Sequence, residues 1–449
     1  MKLSLKEISA FCGVEAEIDG EILKISTDSR DIDENTLFVA LIGERFDGND
    51  FVEDVLSKGA KAVVCSRYNG DDERVILVKD TGEALLKIAN GYRKKFDIPF
   101  VALTGSVGKT TSKGMIYSVV SQKFNTLRTA GNLNNEIGVP KTIFCLEDEH
   151  QAAVIEMGMN HFNEISRLSK TVLPDIGVIT NVGTAHIENL GSREGILKAK
   201  CEILDGMKKG SPLIINGDND MLKTVESEDY KIIRFGLEKD NDIYAENIIA
   251  QQDGSVFEAV YGDEKAKCFV PAVGIHNVYN ALCAICVGIQ LGYSLEDAAK
   301  GVATFEPEGM RQKVTQIKGM TFIEDCYNAN PDSMCAALET LKTLKKERII
   351  AVLGDMLELG DYSEKAHSLV GEKAVEVGCD YIFTFGKESK RIAENAEKGG
   401  VEVYAFTDKE KLTNHLKSIL SEGDTVLFKG SRGMKMEEIF ITLYKEWEV

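Results

Sequence analysis

Thr104-Gly105-Ser106-Val107-Gly108-Lys109-Thr110-Thr111 decides how this chain is read, because it joins an apolar strand to a helix through a glycine turn. The strand expected before it is Ile98-Pro99-Phe100-Val101-Ala102-Leu103, and the helix expected after it covers 112–122. Glycines at 105 and 108 let backbone N–H groups approach an anion, and the new helix N-terminus adds partial positive charge. Lys109 is then set to neutralise outer phosphates, and the Thr110 hydroxyl to ligate Mg²⁺. The first glycine of the common phosphate loop would fall on Leu103, so this is a shortened Gly-x-x-Gly-Lys-Thr form. ATP binding through residues 105–111 is the expectation.

The chain has 449 residues, which at about 100–200 residues per domain suggests two to four domains. Its net charge of −19 disfavours nucleic acid and anionic membrane as partners. No apolar run approaches the roughly 18 residues of a membrane span, so no membrane insertion and a cytoplasmic location are expected. Ten cysteines scattered along such a length do not resemble a disulfide framework. Cys283-x-x-Cys286 lies in an apolar stretch over 279–291 and reads as helix core.

Three blocks follow one another. Residues 1–80 carry short strands, a helix over 51–58, and strands at 60–65 and 75–78. The cap-like Asp80-Thr81 then opens a connecting helix, with Leu85, Leu86, Ile88, Ala89, Tyr92 and Phe96 at helical spacing. Residues 81–311 alternate unbroken apolar strands with helices, the pattern of a parallel sheet covered on both faces. A hairpin is expected around Gly262-Asp263, so the sheet should be mixed. Residues 312–449 alternate regularly, with strands expected at 321–323, 349–353, 381–385, 403–406 and 425–428. The fold class is α/β: a small N-terminal α/β substrate domain, a central phosphate-loop domain with a mixed sheet, and a Rossmann-like doubly wound C-terminal domain.

Polar residues gather at the C-terminal ends of the expected strands, where open α/β sheets bind ligands. Glu156 follows its strand directly and stands where a carboxylate for Mg²⁺ is needed; a solvated strand-end glutamate is the plainer alternative. His186 lies just past another strand end, in Asn181-Val182-Gly183-Thr184-Ala185-His186, able to ligate metal or orient a carboxylate. Lys200 sits on a helix expected over 193–204 among Lys198 and Glu202, which taken alone is an ordinary charged face. Asn132, Asn134 and Asn135 offer donors and acceptors to peptide or sugar groups, and are equally good turn formers. Loops at 325–333 and 429–433, with Arg311, are positioned by sequence to close over a nucleotide. Residue chemistry leads to an ATP-using, Mg²⁺-dependent, multidomain enzyme.

These elements together resemble the Mur ligase family of amide-forming enzymes. They are the 104–111 loop, Asn132-x-Asn134-Asn135-x-Ile137-Gly138-Val139-Pro140, Glu156-Met157-Gly158, Asn181-x-Gly183-x-Ala185-His186, Ala199-Lys200 and His276-Asn277-x-x-Asn280. Tyr327-Asn328-Ala329-Asn330-Pro331-Asp332-Ser333-Met334, Leu353-Gly354-Asp355-Met356-Leu357-Glu358-Leu359-Gly360 and Lys429-Gly430-Ser431-Arg432 are similar to the C-terminal signatures of its D-alanyl-D-alanine-adding branch. Ser26-Thr27-Asp28-Ser29-Arg30 and Leu37-Phe38-Val39-Ala40-Leu41 resemble its uridine-nucleotide segment. Asn49, in Asp47-Gly48-Asn49-Asp50-Phe51, stands where a histidine is common.

The resemblance implies that a carboxylate of UDP-N-acetylmuramoyl-tripeptide attacks the γ-phosphate of ATP, and that the amine of D-alanyl-D-alanine attacks the resulting acyl phosphate. It implies Mg²⁺ on Thr110 and Glu156, and a second Mg²⁺ on Glu156, His186 and a CO₂-derived carbamate of Lys200. Catalytic roles for Lys109, Lys200 and His186 follow from it. So do nucleotide contacts by Asn280, Arg311, Asn328 and Asp332, and substrate contacts by Ser29, Arg30, Asp47, Asn132, Asn134 and Asn135. The rival readings are another ligase of the superfamily, such as a folylpolyglutamate synthase, and a phosphate-loop kinase or NTPase.

Overall fold

In the computed structural model, which describes residues 1–449 apart from 16–17, 308, 310 and 448–449, the strand Phe100–Thr104 lies well inside a nine-stranded sheet. From one edge the order is Glu264–Val270, Ser255–Tyr261, Ile243–Ala250, Lys231–Gly236, Pro212–Asn216, Ile176–Ile179, Phe100–Thr104, Ala152–Glu156 and Thr126–Arg128. Pairings from Ile243–Ala250 onward are parallel, while the first three strands pair antiparallel around the hairpin. The expected mixed sheet is therefore present.

Burial on both faces explains the unbroken apolar strands. Phe100 and Ala102 pack with the helices Thr81–Arg93 and Glu164–Val172, whereas Val101 and Leu103 pack with Lys109–Val120, Ile275–Gln290 and Leu295–Val302. Cys283 and Cys286 are buried in Ile275–Gln290 as free thiols, as expected of helix core.

The N-terminal unit has four parallel strands, Lys24–Ser26, Thr36–Val39, Ala62–Cys65 and Val75–Leu77, with a two-stranded pair, Leu3–Ser4 and Glu21–Ile22. Leu37, Val39 and Val64 share one core with Leu85, Ile88 and Ile155, so the helix Thr81–Arg93 is packed from both sides. The helix expected over 51–58 is a 3₁₀ turn, Gly48–Phe51, followed by the helix Val52–Ser57.

The C-terminal sheet runs Lys313–Ile317, Met320–Asp325, Thr425–Lys429, Ile349–Gly354, Tyr381–Phe385 and Glu402–Phe406, parallel except at its first pair. Helices Pro331–Thr343, Ser363–Glu376 and Lys390–Lys398 cover one face, and Lys409–Ile419 and Glu437–Glu446 the other. This is the doubly wound arrangement. The antiparallel edge strand Lys313–Ile317 was not expected; three of its five residues are exposed, so it lacks the apolar run that marks the inner strands.

Candidate active site

The glycine turn has the backbone its sequence demands. Gly108 adopts φ +77° and directly precedes the helix Lys109–Val120, and a Cβ at Gly105 would lie 1.9 Å from Thr180 Oγ1. The helix thus begins at Lys109, three residues before the expected 112, because the turn is completed at Gly108 although the β-branched pair Thr110-Thr111 is a weak helix former.

Asn181, at the end of the neighbouring strand Ile176–Ile179, fastens the turn. Its Oδ1 accepts from the Ser106 and Val107 N–H groups at 3.0 and 2.9 Å, and its Nδ2 donates to the Val107 carbonyl at 2.9 Å. The Thr180 hydroxyl donates to that carbonyl at 3.0 Å, and Ser106 Oγ accepts from Gly183 N–H at 3.0 Å. Lys109 Nζ folds back onto the Gly105 carbonyl at 2.8 Å. Burial holds its ammonium below the ordinary lysine range, Glu156 opposes that, and Arg311 adds to it.

Glu156 ends the strand next to Phe100–Thr104 and is buried. Thr110 Oγ1 donates to its Oε2 at 2.9 Å and Asn134 Nδ2 to its Oε1 at 2.8 Å, while Lys113 Nζ lies 3.4 Å from Oε2. Among the described residues no three His, Cys, Asp or Glu side chains converge as a metal cage. Nucleotide-bound Mg²⁺ needs only one or two protein oxygens beside phosphate and water, and the Thr110–Glu156 pair offers those oxygens. The donor set fits.

His186 takes a left-handed backbone, φ +63°, at the start of the short helix Ile187–Leu190. Burial, with Lys109 and Lys200 nearby, lowers its imidazole from 6.5 to about 4, so it is neutral and free to act as a ligand. Lys200 corrects the expectation of a charged helix face. It lies on the helix Arg193–Cys201, is 2% exposed, and no described residue bonds or ion-pairs with its amine. Burial first and Lys109 second push its ammonium well below the ordinary range.

A cavity of about 990 Å³ joins the glycine turn, Glu156 and His186 to the C-terminal unit, while Lys200 and Asp332 do not line it. Ser106, Val107, Gly108, Lys109, Thr110, Thr111, Glu156 and His186 line it with Asn132, Asn134 and Asn135, and Asn280, Arg311 and Asn328 complete the wall. Asn280 Oδ1 accepts from Ser112 Oγ at 2.9 Å, and Arg311 stacks 3.9 Å over the Tyr327 ring. Asn135 Oδ1 is taken by the Gly138 N–H at 2.8 Å, and Asn328 Oδ1 by the Ala329 N–H at 2.8 Å. Asp332 reaches across from the C-terminal unit to accept from Thr184 N–H at 3.1 Å, and Glu358 comes within 3.7 Å of His186.

Ser29, Arg30 and Asp47 do not line this cavity. Arg30 pairs with Asp28 at 2.7 Å, Lys58 donates to the Ser29 carbonyl at 3.1 Å, and Asp47 caps the 3₁₀ turn through Asn49 N–H. Asn49 is buried, donating to Asp47 at 2.6 Å and accepting from Ser66 N–H at 2.9 Å. Two site residues escaped sequence reasoning. Asn181 carries no site role in the sequence reading beyond its place in the strand-end motif that leads to His186, and Lys113 carries none. The available signal for Lys113 was its spacing, one helical turn past Lys109 on the same face.

Comparison with known proteins adds the family. The model of the Mur ligase middle domain matches residues 103–288, that of the Mur ligase glutamate ligase domain 310–432, and that of the Mur ligase family catalytic domain 21–93. The UDP-N-acetylmuramoyl-tripeptide–D-alanyl-D-alanine ligase of Bacillus subtilis (strain 168) is 40% identical over 424 residues, 92% of each chain. A crystal structure of MurF from Acinetobacter baumannii matches with TM-score 0.91 at 32% identity over 99% of both chains. MurF from Thermotoga maritima, in complex with ADP, matches with TM-score 0.87 at 28% identity, over 95% of this chain and 98% of that one. With the glycine turn, its strand-end carboxylate and matches along nearly the whole length, this chain belongs to the Mur ligase family.

Proposed function

We propose that the protein is an ATP-dependent ligase that joins D-alanyl-D-alanine to UDP-N-acetylmuramoyl-tripeptide in peptidoglycan precursor synthesis, releasing ADP and phosphate. The observation that carries this reading is the cavity in which the glycine turn, Glu156 and residues of the C-terminal unit meet. The extended likeness to ligases of that name supports it. We assign the protein to the cytoplasm and its parts to residues 1–80 for the uridine substrate, 81–311 for ATP and 312–449 for closure.

A carboxylate is a poor electrophile because its leaving group would be oxide. Transfer of the γ-phosphoryl group to it gives an acyl phosphate; amine attack then forms the C–N bond and breaks the C–O bond to phosphate. Lys109, which donates to Gly105 in the free loop, turns to the phosphoryl oxygens and offsets their charge. Thr110 and Glu156 would hold one Mg²⁺, and Glu156, His186 and a carbamylated Lys200 a second; bound Mg²⁺ would supply charge stabilisation at the phosphoryl oxygens. Carbamylation needs a neutral amine to attack CO₂, with loss of one proton, and the buried Lys200 meets that need. Asn280 and Asn328 flank the nucleotide base, Arg311 the phosphates, and Asp332 secures closure against water. Ser29, Arg30 and Asp47 serve the uridine nucleotide, and Asn132, Asn134 and Asn135 the peptide end.

Phosphate release tests the reading. Release at a useful rate is expected only when UDP-tripeptide and D-alanyl-D-alanine are both present; equal release without the dipeptide would indicate a kinase or NTPase.

A further inference from the structure

Glu156 is a buried carboxylate, its side chain 2% exposed, and Lys113, 0% exposed, makes its ion pair at 3.4 Å. Thr110 and Asn134 donate to it as neutral groups. Lys113 also donates to the Gly131 carbonyl at 2.9 Å, at the root of the loop that carries Asn132, Asn134 and Asn135. One ammonium thus joins the strand-end carboxylate to the amide-rich loop.

We infer that Lys113 is the positioning residue that neutralises Glu156 while the metal site is empty, and that it yields this role when Mg²⁺ binds. A buried carboxylate without a partner is strongly destabilising, because desolvation is no longer balanced by attraction. Mg²⁺ at Glu156 brings its own positive charge to the same oxygens, so the Lys113 charge is needed in the metal-free state and surplus in the metal-bound one. Because Lys113 holds Gly131 as well, it keeps the amide loop docked through both states. The inference rests on the reading of Glu156 as a metal ligand.

The test is the melting temperature of the full chain with ADP, in EDTA and in saturating MgCl₂. Lys113→Met is expected to melt roughly 5 °C or more below the parent in EDTA, and the gap to shrink by at least about half in MgCl₂. The double variant Lys113→Met/Glu156→Gln removes both charges and is expected to regain most of the loss in EDTA. A gap of the same size in both solutions, or none in EDTA, overturns the inference. No response of the parent protein to MgCl₂ overturns the metal reading, and the inference with it. Should Lys113→Met fail to fold, a soluble double variant supports the charge argument, and an equally insoluble one overturns it.

Discussion

At Lys200 the helix Arg193–Cys201 turns an amine inward to 2% exposure with no counter-ion among the described residues, whereas Lys198 two residues earlier stays in water. That asymmetry is the physical ground for the proposed carbamylation: the site destabilises the cation, and a CO₂ adduct would replace it with an anion. Lys200→Ala should lower turnover by roughly a hundredfold or more while ADP affinity changes less than about threefold; calorimetry and the phosphate assay check both, and added short carboxylates should restore part of the rate. Unchanged turnover would contradict the carbamate. His186 carries a pH signature. Its imidazole is lowered from 6.5 to about 4, so between those values an unfolded chain takes up a proton that the metal-free folded chain refuses. Stability from this group is therefore unaffected above about pH 6.5 and falls as pH drops toward 4, by up to about 3 kcal/mol. His186→Asn should flatten that part of the urea-midpoint profile; an identical slope in the variant would contradict the depressed value. The types and order of these residues were legible in the sequence. Burial was not, because a lysine on a helix with charged neighbours has the same pattern facing in or out.

At the scale of elements, the site depends on three adjacent parallel strands whose ends meet. Phe100–Thr104 delivers the glycine turn, Ala152–Glu156 the carboxylate, and Ile176–Ile179 the Thr180-Asn181 clamp. Removing the Asn181 amide leaves the Val107 N–H without its partner and Ser106 N–H with only the Asn181 backbone carbonyl at 3.2 Å, and frees the loop to sample other shapes. Asn181→Ala should weaken ATP binding by roughly ten- to a hundredfold, the cost of about 1–3 kcal/mol for such a loss, with the melting temperature little changed; nucleotide titration measures it. The inner strands were readable because burial on both faces makes them continuously apolar. Strand Lys313–Ile317 was not, since an edge strand carries polar residues and only its partner Met320–Asp325 defines it. The clamp was equally hidden: strand order, absent from a linear sequence, is what brings Asn181 beside Val107.

In the whole molecule, the cavity is built by the central and C-terminal units together, with Asp332 already bonded to Thr184 and Arg311 stacked on Tyr327. The three-block organisation and the doubly wound C-terminal sheet were legible from the alternation of apolar strands and helices. The meeting of Asp332 with Thr184 was not, because it joins residues 148 positions apart across two sheets. The proposed chemistry turns on one step, in which ATP converts a substrate carboxylate into an acyl phosphate. Heavy-oxygen labelling of that carboxylate in UDP-N-acetylmuramoyl-tripeptide, followed by mass analysis of the released phosphate after ligation, tests it most directly. One labelled oxygen is expected in each phosphate released; phosphate carrying oxygen only from ATP and water would rule the acyl phosphate out.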